Sequence, residues 1–511
     1  MTAPVLEREG WRFGGITKTT AAFCYRTNAD GVNAGVEISR TPDFVTLSGT
    51  VTVGALNAGN NYQATCYVTG LSPGTKYYAR ARADDGLGGV TRGASSLYTA
   101  EFSTIADLPI SAAAPFRIIG LGCLRGSEIG VSAYAEIVSG VCSNLLALNG
   151  DLLLPHGDIY YPDIGSTRNY TADYAPNAWY AQVKNVDDAT LGRSRTNFIT
   201  TMDGNRIYNN GNGVTFGDVF ASMPILPMWD DHDIAGNNTY GLATVTAPWA
   251  VNKRTIQHQV GHECFMDLNR VFIESEGRNF DTEARNNSTA PKEWYYVDYP
   301  QVRIIVIDCW SYRDPVGTDS PTYKIISDEC ETWIINLIKT NPKKFLLFCS
   351  PVQLDGDHSY LFSDAGSSWK TYSYQRDRIL GAIWEFGNPE RTLIYTSDSH
   401  SGSVLKYRGL GKERPPIYEL SASNVGTFKI GNYQDWLTGV ADDVFRIDQG
   451  EVKSATGSGG KLECMQVFQQ NCAVIDFSGG KMIAQLVVLH PNQNTPDNRT
   501  SPKIIWSRVF E

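Results

Sequence analysis

One positional pattern constrains this chain more than any other feature. Four short apolar segments each run into a cluster of side chains able to bind a metal ion. Phe116-Arg-Ile-Ile-Gly-Leu-Gly122 runs into Cys123. Asp151-Leu-Leu-Leu154 runs into His156-Gly-Asp-Ile-Tyr-Tyr161. Pro224 to Trp229 runs into Asp230-Asp-His-Asp233, and Thr392 to Thr396 into Ser397-Asp-Ser-His400. Short, wholly apolar runs of this kind predict strands buried on both faces. Further strands are expected at Arg303–Asp308 and Lys344–Cys349, and helices at 130–148, 190–202, 246–265, 328–339 and 372–386. Strands alternating with helices predict α/β layering, and in open α/β sheets ligands bind outside the carboxyl ends of the strands. Each cluster alone has an ordinary reading: a Gly-Asp turn, a solvated acidic loop, a polar pair, a small core cysteine. Together, carboxylate, imidazole, phenolate and thiolate suit a hard trivalent metal beside a divalent one better than a structural zinc.

The first hundred residues follow a different rule. Short alternating runs recur at Thr20–Tyr25, Gly35–Ser39, Leu47–Val53, Tyr62–Val68, Lys76–Arg82 and Tyr98–Phe102, separated by Gly, Asn and Pro turns. That spacing predicts an all-β sandwich. The tight turn Gly70-Leu-Ser-Pro-Gly74, followed by a strand with Tyr77 at its start, resembles the corresponding corner of fibronectin type III domains. Small residues and two prolines at 106–115 predict a linker. The expected organisation is a β-sandwich over 1–105, that linker, and a catalytic domain over 116–511 that turns strand-rich again from about Val404.

Composition narrows the function classes. With 44 Lys+Arg against 54 Asp+Glu the net charge is −10, which disfavours a broad nucleic-acid surface. No apolar run reaches the roughly 18 residues of a membrane span, and no signal-peptide pattern is visible at the start. Ten cysteines without a CxxC spacing argue against a disulfide scaffold or a zinc ribbon. Cys24 and Cys66 read as small buried apolar residues, with their pairing left open.

Taken in order, these elements resemble the PhoD-type alkaline phosphatases of the metallophosphoesterase superfamily, from about Trp11 to Tyr407. The resemblance rests on the β-rich lead region, Cys123, Gly157-Asp158-x-x-Tyr161, and Trp229-Asp-Asp-His-Asp233 with Asn237 and Asn238 following. It continues through Asp308 with Tyr312 and Arg313, then Trp369, Tyr372 and Arg376, and closes with Asp398-x-His400-Ser401. It implies an α+β and α/β chain: an immunoglobulin- or fibronectin III-like β-sandwich followed by an α/β sandwich of two mixed sheets flanked by helices. The implied activity is hydrolysis of small phosphate mono- or diesters, with Fe3+ and Ca2+ as cofactors. By the same resemblance Cys123, Asp158, Tyr161 and His400 would hold the ferric ion. Asp158 would bridge to a second metal held also by Asp231 and Asp398. A metal-bound hydroxide would attack phosphorus in line. His232 would protonate the leaving alkoxide or bind a phosphoryl oxygen, oriented by a neighbouring carboxylate such as Asp233. Arg313 and Arg376 are candidate phosphate contacts, Arg376 equally an ion-pair partner on its helix. The family expectation for location is export.

Two departures stand out. Ser367 and Lys370 occupy positions where the family carries Asp, and Trp310 stands where it often has Arg. Asp355, Asp357 or Asp364 could substitute, the second metal site could be weaker, or Lys370 could serve as a fixed positive charge for the phosphate. The missing acid near Trp369 supports a rival reading, a catalytically degenerate adhesion or binding protein, with a phospholipase- or nuclease-like diesterase as a variant of the first. His358 lies near this region as a candidate ligand or neighbour of one. His258 and His262, four apart, lack the Glu pattern of a zincin and read as helix surface.

Overall fold

The computed structural model describes residues 10–27, 33–53, 63–85, 89–106, 115–124, 132–159, 213–234, 293–314, 319–354, 368–400, 402–408, 414–422, 459–467, 470–490 and 502–511, with positions 6, 56, 87, 265 and 444–445 besides. Eight strands come from the first part: β1 (Arg12–Gly14), β2 (Ala21–Arg26), β3 (Asn33–Ser39), β4 (Leu47–Val53), β5 (Gln63–Val68), β6 (Lys76–Asp84), β7 (Val90–Arg92) and β8 (Thr99–Ser103). Strands β1, β2 and β5 form one antiparallel sheet; β4, β3, β6 and β7 form a second, with β8 also on β6. Along β6, buried Tyr77, Ala79, Ala81 and Ala83 alternate with outward residues, the period of two that gives a strand one core face. Trp11, Phe13, Phe23, Val36, Ile38 and Phe102 draw both sheets into one apolar cluster. Cys66 lies opposite Phe23 in register and Cys24 opposite Thr65, so the two cysteines face opposite sides of their sheet, and they form no disulfide with each other.

The second part supplies β9 (Phe116–Leu121), β10 (Leu152–Pro155), β11 (Tyr295–Asp298), β12 (Val302–Val306), β13 (Phe345–Ser350), β14 (Thr392–Thr396), β15 (Gly402–Arg408), β16 (Ile417–Ala422), β17 (Val444–Phe445), β18 (Gly459–Val467), β19 (Gln470–Ser478), β20 (Lys481–His490) and β21 (Lys503–Phe510). They build two mixed sheets, in the orders β10-β9-β19-β20-β21 and β11-β12-β13-β14-β16-β15-β18-β17. Strands β12, β13, β14 and β16 run parallel. Every residue of β12, β13 and β14 is buried, as their unbroken apolar sequence requires. Helix Ser132–Ala147 packs on β20, and helices Asp328–Lys339 and Ser373–Phe386 pack on each other. The Ser327 side chain caps the first of that pair by accepting from the Cys330 amide at 3.1 Å.

One expectation needs correction. Pro224–Trp229 is extended but is not a regular strand: Ile225 bridges Gly14 and Leu153, and Met228 bridges His156, singly. Pro224 and Pro227 have no N–H to give to a ladder. The segment lies between β1 and β10, so the small β1-β2-β5 sheet runs on into the sheet of β9. The helices expected at 190–202 and 246–265 lie outside the described residues, apart from helical Phe265. Among the described residues no helix is long and apolar enough to cross a membrane.

Candidate active site

Strand ends bring the polar clusters together. β9 and β10 are parallel neighbours, so Cys123 and Asp158 leave the sheet side by side. The turns are tied to each other: Cys123 N donates to Gly157 O at 3.3 Å and Leu124 N to Asp158 O at 2.8 Å. Cys123 Sγ lies 3.6 Å from Asp158 Oδ2. β14 delivers Asp398 and His400, and the extended segment 224–229 delivers Asp230 to Asp233. Three overlapping groups result, each with its ligand atoms within 4.8 Å of one another: Cys123, Asp158 and His400; Asp158, Asp231 and His232; Asp158, Asp230 and Asp398. Asp158 belongs to all three. His400 is half-buried and the others are buried.

The backbone carries this arrangement at a cost. Cys123 (φ 55°), Asp158 (φ 51°), Asp398 (φ 67°) and His400 (φ 50°) are left-handed, with Phe44 and Asn149 the other described non-glycine residues that are. Such conformations cost about 1–3 kcal/mol each and persist where their surroundings enforce them. Asp398 is the centre of a γ-turn closed by Ser399 N donating to Ser397 O at 2.9 Å. Gly157 (φ 76°) must be glycine for a second reason, since a Cβ there would collide with the Asp230 side chain.

Asp230 has no role in the sequence expectations, yet it sits in the middle of the site. Its Oδ1 accepts from the Asp231 amide at 3.1 Å, while its buried Oδ2 has no hydrogen-bond partner. Burial first, then the charges of Asp398, Asp158, Asp231 and Asp233, push its carboxyl well above the usual range. Asp233 turns back on its own chain, its Oδ2 accepting from Asp230 N at 3.0 Å. The doublet Asp230-Asp231 at the end of an apolar run was the signal available; sequence reasoning used only its second member.

The remaining candidates are held around this cluster. Asp308 Oδ1 accepts from Trp229 Nε1 at 3.0 Å and from the amides of Trp310 and Ser311, and burial raises its carboxyl above its ordinary range. Arg313 is fully buried, its guanidinium 4.2 Å from the Trp310 ring and 5.4 Å from the Tyr372 ring. Trp310, the departure at this strand end, therefore packs against that arginine. Arg376 pairs with Asp377 at 3.1 Å and donates to Leu354 O at 3.3 Å. Lys370 is half-buried on the short helix Trp369–Tyr372. Tyr161, Asn237, Asn238, His258, His262, His358, Ser367, Ser401 and the three substitute acids Asp355, Asp357 and Asp364 lie outside the described residues. His156, beside the Gly157–Asp158 turn, stacks on Tyr395 at 5.0 Å with neither ring nitrogen hydrogen-bonded, and burial lowers its pKa to about 3.

The donor set fits metal ions. Closely spaced buried carboxyl groups, one with an oxygen lacking any donor, are stable in their charged form only beside positive charge. Cys123 and His400 with Asp158 in one group, and carboxylates with His232 in the other two, offer two chemically distinct donor sets.

Comparison with solved structures gives the same architecture. PhoD matches with a TM-score of 0.67 at 14% identity, over 98% of this chain and 89% of that one. A purple acid phosphatase isolated from yellow lupin (Lupinus luteus) seeds matches with a TM-score of 0.52 at 11% identity, over 99% of this chain and 74% of that one. The chain has a PhoD-like metallophosphoesterase fold. No protein-family model matches the sequence, and no curated protein does.

Proposed function

We propose that this protein is a metal-dependent phosphoesterase that hydrolyses small phosphate mono- or diesters. The observation that carries the reading is the convergence of five expected residues from three other chain segments on Asp158. In this reading Cys123, Asp158, Tyr161 and His400 would hold Fe3+, and Asp158, Asp231 and Asp398 would hold Ca2+. Metal ions held there would supply a nucleophile at neutral pH and positive charge for the phosphoryl oxygens. His232, on the same side of Asp158 as Asp231, donates a proton to the ester oxygen that leaves. Asp233 fixes the turn that carries His232. Arg313, locked between two rings, and Lys370 provide positive charge for the phosphate. Of the two roles open for Arg376, its pairing with Asp377 and its bond to Leu354 favour the structural one.

The lead region reads as a fibronectin III-like β-sandwich over 1–105, followed by a connector at 106–115 and the catalytic domain at 116–511. Tyr77 supports this: its hydroxyl accepts from Ser72 N at 2.9 Å, the tie-back expected of a tyrosine corner.

The deciding experiment measures hydrolysis of p-nitrophenyl phosphate and bis-p-nitrophenyl phosphate with Fe3+ and Ca2+ supplied, alongside the visible spectrum. The reading expects turnover and a tyrosinate-to-iron absorption band. No turnover under any metal would leave the degenerate binding protein, the reading favoured by Lys370 in place of an acid. Turnover without the band would refute the iron assignment alone.

A further inference from the structure

The chain from Thr215 to Asp233 belongs to both parts of the molecule at once. Helix Phe216–Ser222 puts Phe216, Val219 and Phe220 into the catalytic core and Ala221 into the N-terminal one. Its capping residue Asp218 accepts from Ser96 Oγ, in the loop before β8, at 3.1 Å. The extended segment 224–229 comes next. On one side Leu153 N donates to Pro224 O at 2.8 Å, Leu226 N to Leu153 O at 2.9 Å, Met228 N to Pro155 O at 3.1 Å and Gly157 N to Met228 O at 2.8 Å. On its other side Ile225 N donates to Phe13 O of β1 at 2.8 Å. The segment then ends in Asp230, Asp231 and His232, while β10 ends in Asp158. The register of these two neighbours therefore fixes where Asp231 and His232 stand relative to Asp158. A slip of one residue would displace them by about 3.3 Å and turn each side chain to the opposite face. Leu226 N and Met228 N point to β10 and Ile225 N to β1, so Pro224 leaves the β10 side, and Pro227 the β1 side, of this short ladder without one donor each.

We propose that the N-terminal module is a positioning element of the site. Its strand β1 and the apolar face that receives Ala221 clamp the 215–229 unit and set the register that places Asp231 and His232 against Asp158. The module is then not a detachable adhesion domain. The claim about register stands on the backbone bonds; only its consequence for metal binding rests on the function proposed above.

The test uses the full-length chain and two substitutions at one position. Ile225→Pro keeps an extended backbone but deletes the N–H that reaches Phe13; Ile225→Val keeps it. Hydrogen exchange read by mass spectrometry over 152–158 and 224–234, and Ca2+ affinity of chelator-treated protein by calorimetry, are compared. Ile225→Pro is expected to speed exchange in both peptides and weaken Ca2+ binding, each at least tenfold, with Ile225→Val close to the parent. Ala221→Leu, which wedges the helix off the N-terminal core, takes the same readings if Ile225→Pro does not fold, and is expected to behave likewise. Unchanged exchange in the disrupted variant overturns the proposal. Faster exchange with unchanged Ca2+ affinity overturns the positioning role. If the parent itself binds no Ca2+, the metal assignment fails and exchange alone decides the register claim.

Discussion

Two buried acids, one in each part of the molecule, show how differently a carboxylate can be used. Glu37 in β3 is 3% exposed and surrounded by arginines: Arg80 Nε at 2.7 Å, Arg92 Nε at 3.0 Å and Arg82 Nε at 3.7 Å. Asp230 is equally buried and is surrounded by Asp158, Asp231, Asp233 and Asp398. The first carries its counter-charge in the sequence. The second has like charges as neighbours, so its environment is complete only with a proton or a cation from outside. The lead region is closed electrostatically; the strand-end cluster is built to receive something.

The largest expected effect falls on the residue common to all three groups. Asp158→Asn should lower hydrolysis at least about a thousandfold and reduce the metal retained after gel filtration, with the circular dichroism spectrum unchanged. Survival of activity would break the claim that this carboxylate is the hub. Next come two substitutions that should differ in sign when metal has been removed by chelation. Glu37→Gln leaves Arg80 and Arg92 without this anion, while Arg82 keeps Asp84, and should destabilise by about 1–3 kcal/mol, the range reduced because those arginines reach solvent. Asp230→Asn relieves repulsion and should raise the thermal midpoint of the chelated protein, by about 1 kcal/mol in stability. Shifts of the same sign would erase the contrast.

The pH dependence sharpens it. Asp230 has a folded pKa above its unfolded value, so the folded chelated protein holds a proton that the unfolded chain has released. Stability from this group is present below about pH 4 and lost as pH rises through the raised folded pKa. Melting scans of chelated protein should show that loss, and metal-loaded protein should not. His156 responds in the opposite direction, its pKa falling from 6.5 to about 3. Here the unfolded chain takes the proton first, so stability is present above pH 6.5 and falls toward pH 3. Below pH 6.5 the gap between parent and His156→Phe should change by about 1.4 kcal/mol per pH unit, with the parent losing ground. A gap independent of pH would mean that the imidazole is not the responsive group.

Much of the fold was legible because strand and helix periodicities are local. The expected β4, β14 and the helix Asp328–Lys339 match residue for residue, and the polar clusters at strand ends were visible as interruptions of apolar runs. What stayed hidden is non-local. Periodicity announces a strand-rich stretch from about Val404 but cannot say that one of its strands, β19, pairs with β9, nor that a proline-broken segment joins two sheets. Asp230 was invisible as a functional residue because its character comes from two distant chain segments folding around it. The left-handed backbone at Cys123, Asp158, Asp398 and His400 is likewise imposed by tertiary contacts, none of these residue types requiring it.

The β9–β19 pairing also sets a timetable. Arg117 and Asp476, joined at 2.6 Å across these strands, are 359 residues apart. At about 5–20 residues per second the ribosome delivers the second strand on the order of 20–70 s after the first. Throughout that interval β9, whose end carries Cys123, has an open edge and lacks its inner neighbour. The cysteine corner therefore matures only once the strand that carries Asp476 has been made, and a metal ion entering before then would meet a half-built cup.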